Sequence, residues 1–493
     1  MADGAASGST PIASERSPHA LTAGAGAPVV AVIGGGFSGA MVAANLLASA
    51  RGRGPLRVVL VDPSRAGRGV AYGTASDAHV LNVPAAKMSA WPSDPDHFVR
   101  HLAAASAPFG PASFVPRATY GAYVESTLRA AALGARPGAT LEIVRDRACE
   151  VAPSALGATV RLARGGAVTA SRVVLALGAL APRTPSGLDE AFVASPRYVA
   201  DPWADGGAAL DGVAEDEPLL LVGTGLTMFD VVLRLEERGH RGPVLAVSRR
   251  GLVPHAHAKV PPGSAPCIEP RDRLTARDVV RAVRAAAAEA ERDGRGFRAA
   301  IDALRAGTPA IFGALSHRDR ARLLRHAGAY WDVVRHRASP DVAAAIDARR
   351  ASGALRVTAA RVVAARDDGG AAAITLRPRG AGETVSLRAA RVVNCTGPSY
   401  DVERAADPLV ARLRERGLLR ADPLRLGIDA DAAGRVVDRA GSASSVLFAA
   451  GPLRRAATWE GTAVPELRVQ AADVADAVLA SLAERACAHA VAV

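Results

Sequence analysis

The sequence predicts an α/β chain of two lobes, each built on a parallel sheet, with a helical segment inserted in the second. Three observations carry this. Two glycine-rich turns follow apolar strands: Val29–Ile33 runs into Gly34-Gly-Gly-Phe-Ser-Gly39, and Leu219–Val222 runs into Gly223-Thr-Gly-Leu-Thr227. Each turn leads into an amphipathic stretch, the strand–turn–helix context of a Rossmann-like dinucleotide-binding unit. A weak repeat then follows each turn: Leu141–Val144, Ala158–Leu162 and Arg172–Gly178 after the first, and Leu355–Thr358, Ala373–Leu376 and Arg391–Gly397 after the second. Both sets read as three strands, the last closing on glycine. At 493 residues, 49% of them apolar, the chain is long enough for two or three cores.

Taken in order, residues 1–27 are mostly Ala, Gly, Ser and Pro, without the apolar centre of a secretion signal, and read as a disordered tail. In the first turn Gly34 permits the tight bend, Gly36 lets the backbone approach a pyrophosphate, and Gly39 lets helix and sheet pack closely. The helix begins near Phe37 and Ser38, its partly positive end toward the phosphates. The next strand, Leu56–Asp62, ends in an acid 23 residues after Gly39. The fingerprint expects one at about 20, where it accepts hydrogen bonds from an adenosine ribose.

The second turn is less complete. Gly223 and Gly225 match, and Leu226 and Thr227 open the helix, but Met228 occupies the third glycine position. A bulkier residue there is expected to separate helix from strand and shift the bound dinucleotide. The following strand, Val244–Val247, runs into Ser248-Arg249-Arg250 with no acid. Those side chains would hold a 2′-phosphate that an acid would repel, which favours NADPH while leaving NADH open. Residues 268–350 carry Ala, Arg and Leu at helical spacing and read as a helical insertion. Val446–Gly451 reads as a buried strand, and Pro465 opens a helix running to about Cys487.

Composition excludes several function classes. The net charge is +12, yet nearly all basic residues are Arg, the lysines being Lys87 and Lys259, and acids are mixed among them. That describes a solvated basic surface, favourable to anionic cofactors or substrates. No basic stretch is interleaved with aromatics, against nucleic-acid binding, and no apolar run reaches the length of a membrane span. The cysteines Cys149, Cys267, Cys395 and Cys487 form no Cys-x-x-Cys pair. This argues against a cluster, a zinc knuckle or a dithiol redox centre, and fits a reducing cytoplasm. Cys395 lies in an apolar strand and reads as core. His255 and His257 follow the arginine pair with no carboxylate or cysteine at ligand spacing, so no metal site is expected. Contact with cofactor or substrate stays open for them. Arg335, His336 and Arg337, after Tyr330 and Trp331, read either as a solvated helix face or as a holder for an anionic planar substrate. No Ser/His/Asp or Cys/His set suggests a nucleophilic site.

From about Pro28 onward the chain resembles the two-dinucleotide-binding flavoproteins, and more narrowly a bacterial FAD/NAD(P)-binding family that includes FAD-dependent urate hydroxylases. Carrying the resemblance are both glycine turns, Gly69–Tyr72, Leu81–Pro84 with Met88-Ser89, Asp230, Ser248–Gly251, Trp459-Glu460 and Thr462–Arg468. It implies FAD in a discontinuous first lobe (28–205 and 398–493) and NAD(P)H in an inserted lobe (206–397). It also implies that Arg68–Pro92 runs beside the flavin ring, where Asn82 or Lys87 would hydrogen-bond the flavin or a bound intermediate. Gly451 is expected to bind the cofactor, and the helix N-terminus near Thr462 and Val464 would face the flavin's pyrimidine edge, where a helix end stabilises the charge of the reduced ring. The expected activity is an FAD-dependent, NAD(P)H-consuming monooxygenase using O2 to hydroxylate a small polar, urate-like substrate. The alternatives are an NAD(P)H:acceptor oxidoreductase without oxygen insertion and a nucleotide-binding redox sensor. The oligomeric state is left open.

Overall fold

A computed structural model describes residues 26–49, 54–154, 156–261, 268 and 274–491. The expected tail, up to residue 25, lies outside the described residues.

The first lobe is a six-stranded sheet. Its first strand, β1 (Val29–Ile33), is buried at all five positions. An uninterrupted apolar run of this kind is what a parallel strand covered on both faces requires. β2 (Leu56–Val61) and β3 (Ala139–Val144) extend the sheet on one side. After β3 the chain leaves it for a small antiparallel sheet of β4 (Ala148–Ser154), β5 (Gly157–Leu162) and β6 (Ala167–Ala170). It returns as β7 (Arg172–Leu175), parallel to β1. The three strands expected here are therefore five, and they belong to two sheets. β4 and β6 each form a hairpin with β5, but β4 carries Pro153 and β6 is only four residues long, so neither shows a strong strand pattern.

The second lobe opens with β8 (Tyr198–Val199), followed by β9 (Leu219–Val222) and β10 (Val244–Ser248). β8 pairs with the second sheet, so that sheet takes up residues ahead of the expected boundary at 206. β11 (Leu355–Asp367) outruns the expected strand by serving two ladders. Its first five residues run parallel to β10. From Ala360 it pairs antiparallel with β12 (Ala372–Pro378), across an irregularity between Val362 and Ala364. β13 (Val385–Ala389) and β14 (Arg391–Asn394) complete the order β13-β12-β11-β10-β9-β14-β8. The chain then re-enters the first lobe as β15 (Arg435–Val437) and β16 (Ala443–Ala449), giving β15-β16-β7-β1-β2-β3. The two crossings touch: Leu180 and Ser399 exchange backbone hydrogen bonds of 2.9 and 3.0 Å.

Helices cover the sheets. Helix Phe37–Ala48 has ten of its twelve residues buried. It packs with Arg117–Leu133 and with the C-terminal helix Val464–Val491 in one apolar cluster. The insertion between β10 and β11 is helical, as the spacing predicts. Thr275 and Asp278 form a capping box on helix Ala276–Arg292, and Ser316 caps His317–His326. Its last helix, Pro340–Ala351, starts with Ser339 as cap and proline in the first turn. Ile346 and Ala343 of that helix share a core with the second sheet. It is thus the crossover helix of the lobe, so the inserted material proper ends before it.

Candidate functional site: two glycine turns on one molecule

The three glycines of the first turn do different work. Gly34 has φ +100°, and a Cβ there would lie 2.2 Å from the Ala176 carbonyl oxygen. A Cβ on Gly39 would lie 1.8 Å from the Gly34 oxygen, so both glycines are demanded by the protein's own backbone. Gly36 differs: its φ is −66°, and the nearest atom to an added Cβ is Gly69 Cα at 3.6 Å. The protein leaves that space free, as a cradle for a closely approaching pyrophosphate does. Gly36 is also the N-cap of helix Phe37–Ala48 and offers no side-chain cap, so the first-turn N–H groups face the cradle.

The second turn repeats the division. Gly223 has φ +121°, and its Cβ would lie 2.1 Å from the Cys395 oxygen. A Cβ on Gly225 would meet nothing within 4 Å, and Gly225 N-caps helix Leu226–Glu237 without a side-chain bond. Met228 is fully buried in the second-lobe core, with Leu226 packed against the same cluster. Cys395 is likewise core, and burial pushes its thiol well up. Both turns therefore fit a bound dinucleotide.

The acid after β2 has a second task. Asp62 Oδ2 accepts from the Gly35 N–H at 2.5 Å, and Oδ1 accepts from the Ser64 N–H and hydroxyl at 2.7 and 2.6 Å. A carboxylate offers about four acceptor positions. Three are used here to hold the turn, and one is left over. Phe37 turns its ring into the core, stacked 6.3 Å from Tyr120, so only its backbone faces the turn. Ser38 meets the returning chain: a Cβ on Gly451 (φ +98°) would lie 3.0 Å from Ser38 Oγ. The Gly451 N–H donates to Gln470 Oε1 at 2.5 Å, a partner that nothing in the local sequence marks.

At the far end of the second turn, Ser248 Oγ lies 2.8 Å from Thr224 Oγ1 and accepts from the Gly251 N–H at 3.0 Å. It braces the loop rather than standing free. Arg249 is exposed, and the Arg250 guanidinium lies 5.3 Å from the Tyr330 ring centre in the insertion. The Asn82 backbone carbonyl accepts from His257 Nε2–H at 2.9 Å. Burial, with Arg337 nearby, lowers the His257 pKa to about 4. Lys87 ends a short 3-10 turn, Ala85–Lys87, and is exposed. His255 packs edge-on to Phe297 at 5.3 Å.

The C-terminal segment departs from expectation. The helix starts at Val464 rather than Pro465, and Val464 is buried. The Thr462 N–H donates to the Glu460 carbonyl at 2.8 Å, so it is not free to meet a ligand as expected. Just ahead of it the chain bends tightly at Trp459, which adopts φ +55°. The insertion clamps this bend. Trp459 stacks between Phe312 (5.0 Å, 20°) and Trp331 (5.5 Å, 23°). Glu460 Oε1 accepts from Trp331 Nε1 at 2.7 Å, and Arg335 forms an ion pair with Oε2 at 3.1 Å. Arg337 pairs with Asp302, and His336 faces Asp332 at 4.0 Å. Arg335 and Arg337 are thus spent on internal carboxylates, while His336 lies only loosely beside the exposed Asp332. Among the described residues no cluster of metal-ligating side chains occurs, and no helix is long and apolar enough to cross a membrane.

Residues 31–180 match a family described as FAD-NAD(P)-binding. No curated protein matches the chain. Solved structures similar to it include ornithine hydroxylase from Pseudomonas aeruginosa (TM-score 0.62, 17% identity, covering 92% of this chain and 99% of that one). Another is an ornithine N-hydroxylase of Kutzneria sp. 744 with reduced FAD, NADP+ and L-ornithine (0.60, 15%, 93% and 99%). A third is L-lysine 6-monooxygenase from Pseudomonas syringae (0.59, 16%, 93% and 100%). This likeness spans both lobes and establishes the two-lobed Rossmann-like fold.

Proposed function

We propose that this chain is an FAD-dependent, NAD(P)H-consuming monooxygenase of a small polar substrate, working in a reducing compartment such as the cytoplasm. The observation that carries the proposal is the pair of open second glycines, Gly36 and Gly225. Each sits at an uncapped helix N-terminus in a fold shared with amino-acid hydroxylases. Bound FAD and NADPH would supply hydride transfer and the activation of O2. The protein's part is to bind, orient and exclude water. The N–H groups of helix Phe37–Ala48 hold the FAD pyrophosphate, with Asp62 on the ribose. Gly225, Leu226 and Thr227 hold the second pyrophosphate, and Arg249 and Arg250 the 2′-phosphate. Asn82 and Lys87 lie on the segment assigned to the flavin ring, Gly451 is assigned to the cofactor where the chain returns, and Val464 lies at the helix start assigned to the flavin's pyrimidine edge. The resemblance points to a urate-like heterocycle as substrate, whereas the structural neighbours act on ornithine and lysine.

The test is direct. Purified protein should be yellow, release FAD, and oxidise NADPH faster when its substrate is added, with O2 consumed in step with hydroxylated product. Urate, ornithine and lysine are the first members of the panel. Colourless protein that takes up no FAD would end the proposal. NADPH oxidation without oxygen insertion would convert it to an acceptor reductase, and a flavin that NADPH never bleaches would favour a sensor. Arg249→Glu with Arg250→Glu should raise the KM for NADPH at least tenfold and leave that for NADH nearly unchanged. Equal effects on both would remove the NADP preference.

A further inference from the structure

We infer that the segment His79–Asn82, together with Arg117, is a two-point bracket holding the second lobe in one pose against the first, and that Asp230 is thereby a positioning residue for hydride delivery. The inference rests on the proposed function for its catalytic consequence, but not for the bracket itself.

Asp230 belongs to the segments that carry the family resemblance, yet it lies past the glycine turn and has no part in phosphate binding. It sits in helix Leu226–Glu237, the helix whose N-terminus caps the second turn. Its Oδ2 lies 2.8 Å from Arg117 Nη1 of the first lobe, with side chains only 10% and 15% exposed. Its backbone carbonyl faces His79 Nε2, also from the first lobe, at 3.0 Å. Neither first-lobe group is free to drift. Arg117 donates from Nε to the Val80 carbonyl at 3.0 Å and from its backbone N–H to the His79 carbonyl at 2.8 Å. His79 is fully buried, its Nδ1 2.7 Å from Thr74 Oγ1 and its ring edge-on to Trp203 at 5.2 Å. Three residues further on, the Asn82 backbone carbonyl accepts from His257 Nε2–H at 2.9 Å.

One short first-lobe segment therefore grips the second lobe at two places. One is the helix that follows the glycine turn, and the other is the stretch that follows Arg249 and Arg250. Both adjoin, along the chain, residues assigned to the nicotinamide dinucleotide. Removing one partner of a buried ion pair leaves the other charge uncompensated, so the Arg117–Asp230 contact specifies a pose rather than merely adding adhesion. Hydride transfer needs reacting atoms about 3–3.5 Å apart, and an error of about 1 Å can cost on the order of 100-fold in rate.

The experiment has two arms. In the first, Asp230→Asn holoenzyme is mixed anaerobically with saturating NADPH. Flavin content, dithionite reduction and NADPH affinity should stay within about threefold of wild type, while the flavin reduction rate falls at least tenfold. Asp230→Glu, which keeps a carboxylate for Arg117, should recover a substantial part of that loss, which a role for side-chain size alone would not. In the second arm, spin labels are placed at Leu133→Cys and Val385→Cys, exposed sites on the two lobes. Cys149, Cys267 and Cys487 are replaced by serine. One narrow distance distribution is expected with Asp230 intact, and a broadened or double one in Asp230→Asn. Arg117→Gln serves both arms should Asp230→Asn not fold. An unchanged distribution overturns the bracket, whatever the rate does, and a broadened distribution with a wild-type reduction rate overturns the positioning role. If wild-type flavin is never reduced by NADPH, the proposed function fails while the distance arm still decides the bracket.

Discussion

Gly36 and Gly39 stand three residues apart and should answer the same substitution in opposite ways. A valine at 36 has ordinary room and an unexceptional φ, so the fold should survive while the pyrophosphate loses its approach. Gly36→Val is expected to purify soluble, with a circular dichroism spectrum like that of flavin-free wild type, and with flavin content near zero. Gly39→Val drives a Cβ into the Gly34 carbonyl and should yield little folded protein. Flavin retained in Gly36→Val would refute the first-turn assignment. His257 makes a different claim. Burial lowers its pKa from 6.5 to about 4 in the folded chain. Between those values the unfolded chain binds a proton that the folded chain refuses, so stability falls as pH drops from about 6.5 toward about 4. Comparing Tm at about pH 7.5 and about pH 5 should show a smaller acid loss in His257→Gln than in wild type.

Among the larger pieces, the bend at Trp459 depends on the insertion. Trp331 supplies one side of the aromatic stack and a hydrogen bond to the nearly buried Glu460. Arg305 adds a second tie, its Nε 2.7 Å from Glu466 Oε1 in the first turn of the C-terminal helix. Trp331→Ala should cost about 3 kcal/mol in urea unfolding, since it removes a large ring and strips a donor from a nearly buried carboxylate. It should also speed proteolytic cleavage within residues 276–335. A variant with wild-type cleavage rate would mean that the insertion is anchored elsewhere. The insertion's helices were legible because Ala, Arg and Leu at helical spacing suffice to call them. Its docking partner was not, because the stack joins residues 312, 331 and 459 from distant stretches of chain.

For the molecule as a whole, a dinucleotide that binds the folded chain and not the unfolded one is a stability term. FAD at about 100 times its Kd should stabilise the folded protein by about 2.7 kcal/mol, raising the Tm of flavin-free protein. The Gly36→Val variant should show no such shift. A Tm indifferent to FAD in wild type would show that the first lobe binds no flavin.

Much of this architecture is written locally. Strand β1, both glycine turns, the acid at Asp62 and the returning strand β16 were legible because a buried parallel strand needs an apolar run and a tight turn needs glycine, conditions met within a few residues. The same local chemistry marked Gly34, Gly36 and Gly39 as a set, but not that Gly36 alone faces free space. That depends on where Ala176 and Gly69 arrive from elsewhere in the chain. Likewise, Ser248 turned inward to brace a loop, Thr462 spent its N–H on Glu460, and Arg335 and Arg337 found carboxylates of their own. Which arginine meets which acid, and which loop of one lobe grips which helix of the other, is settled by contacts between residues tens to hundreds of positions apart. A charge or a hydrogen-bonding group carries no mark of its partner until the chain has folded.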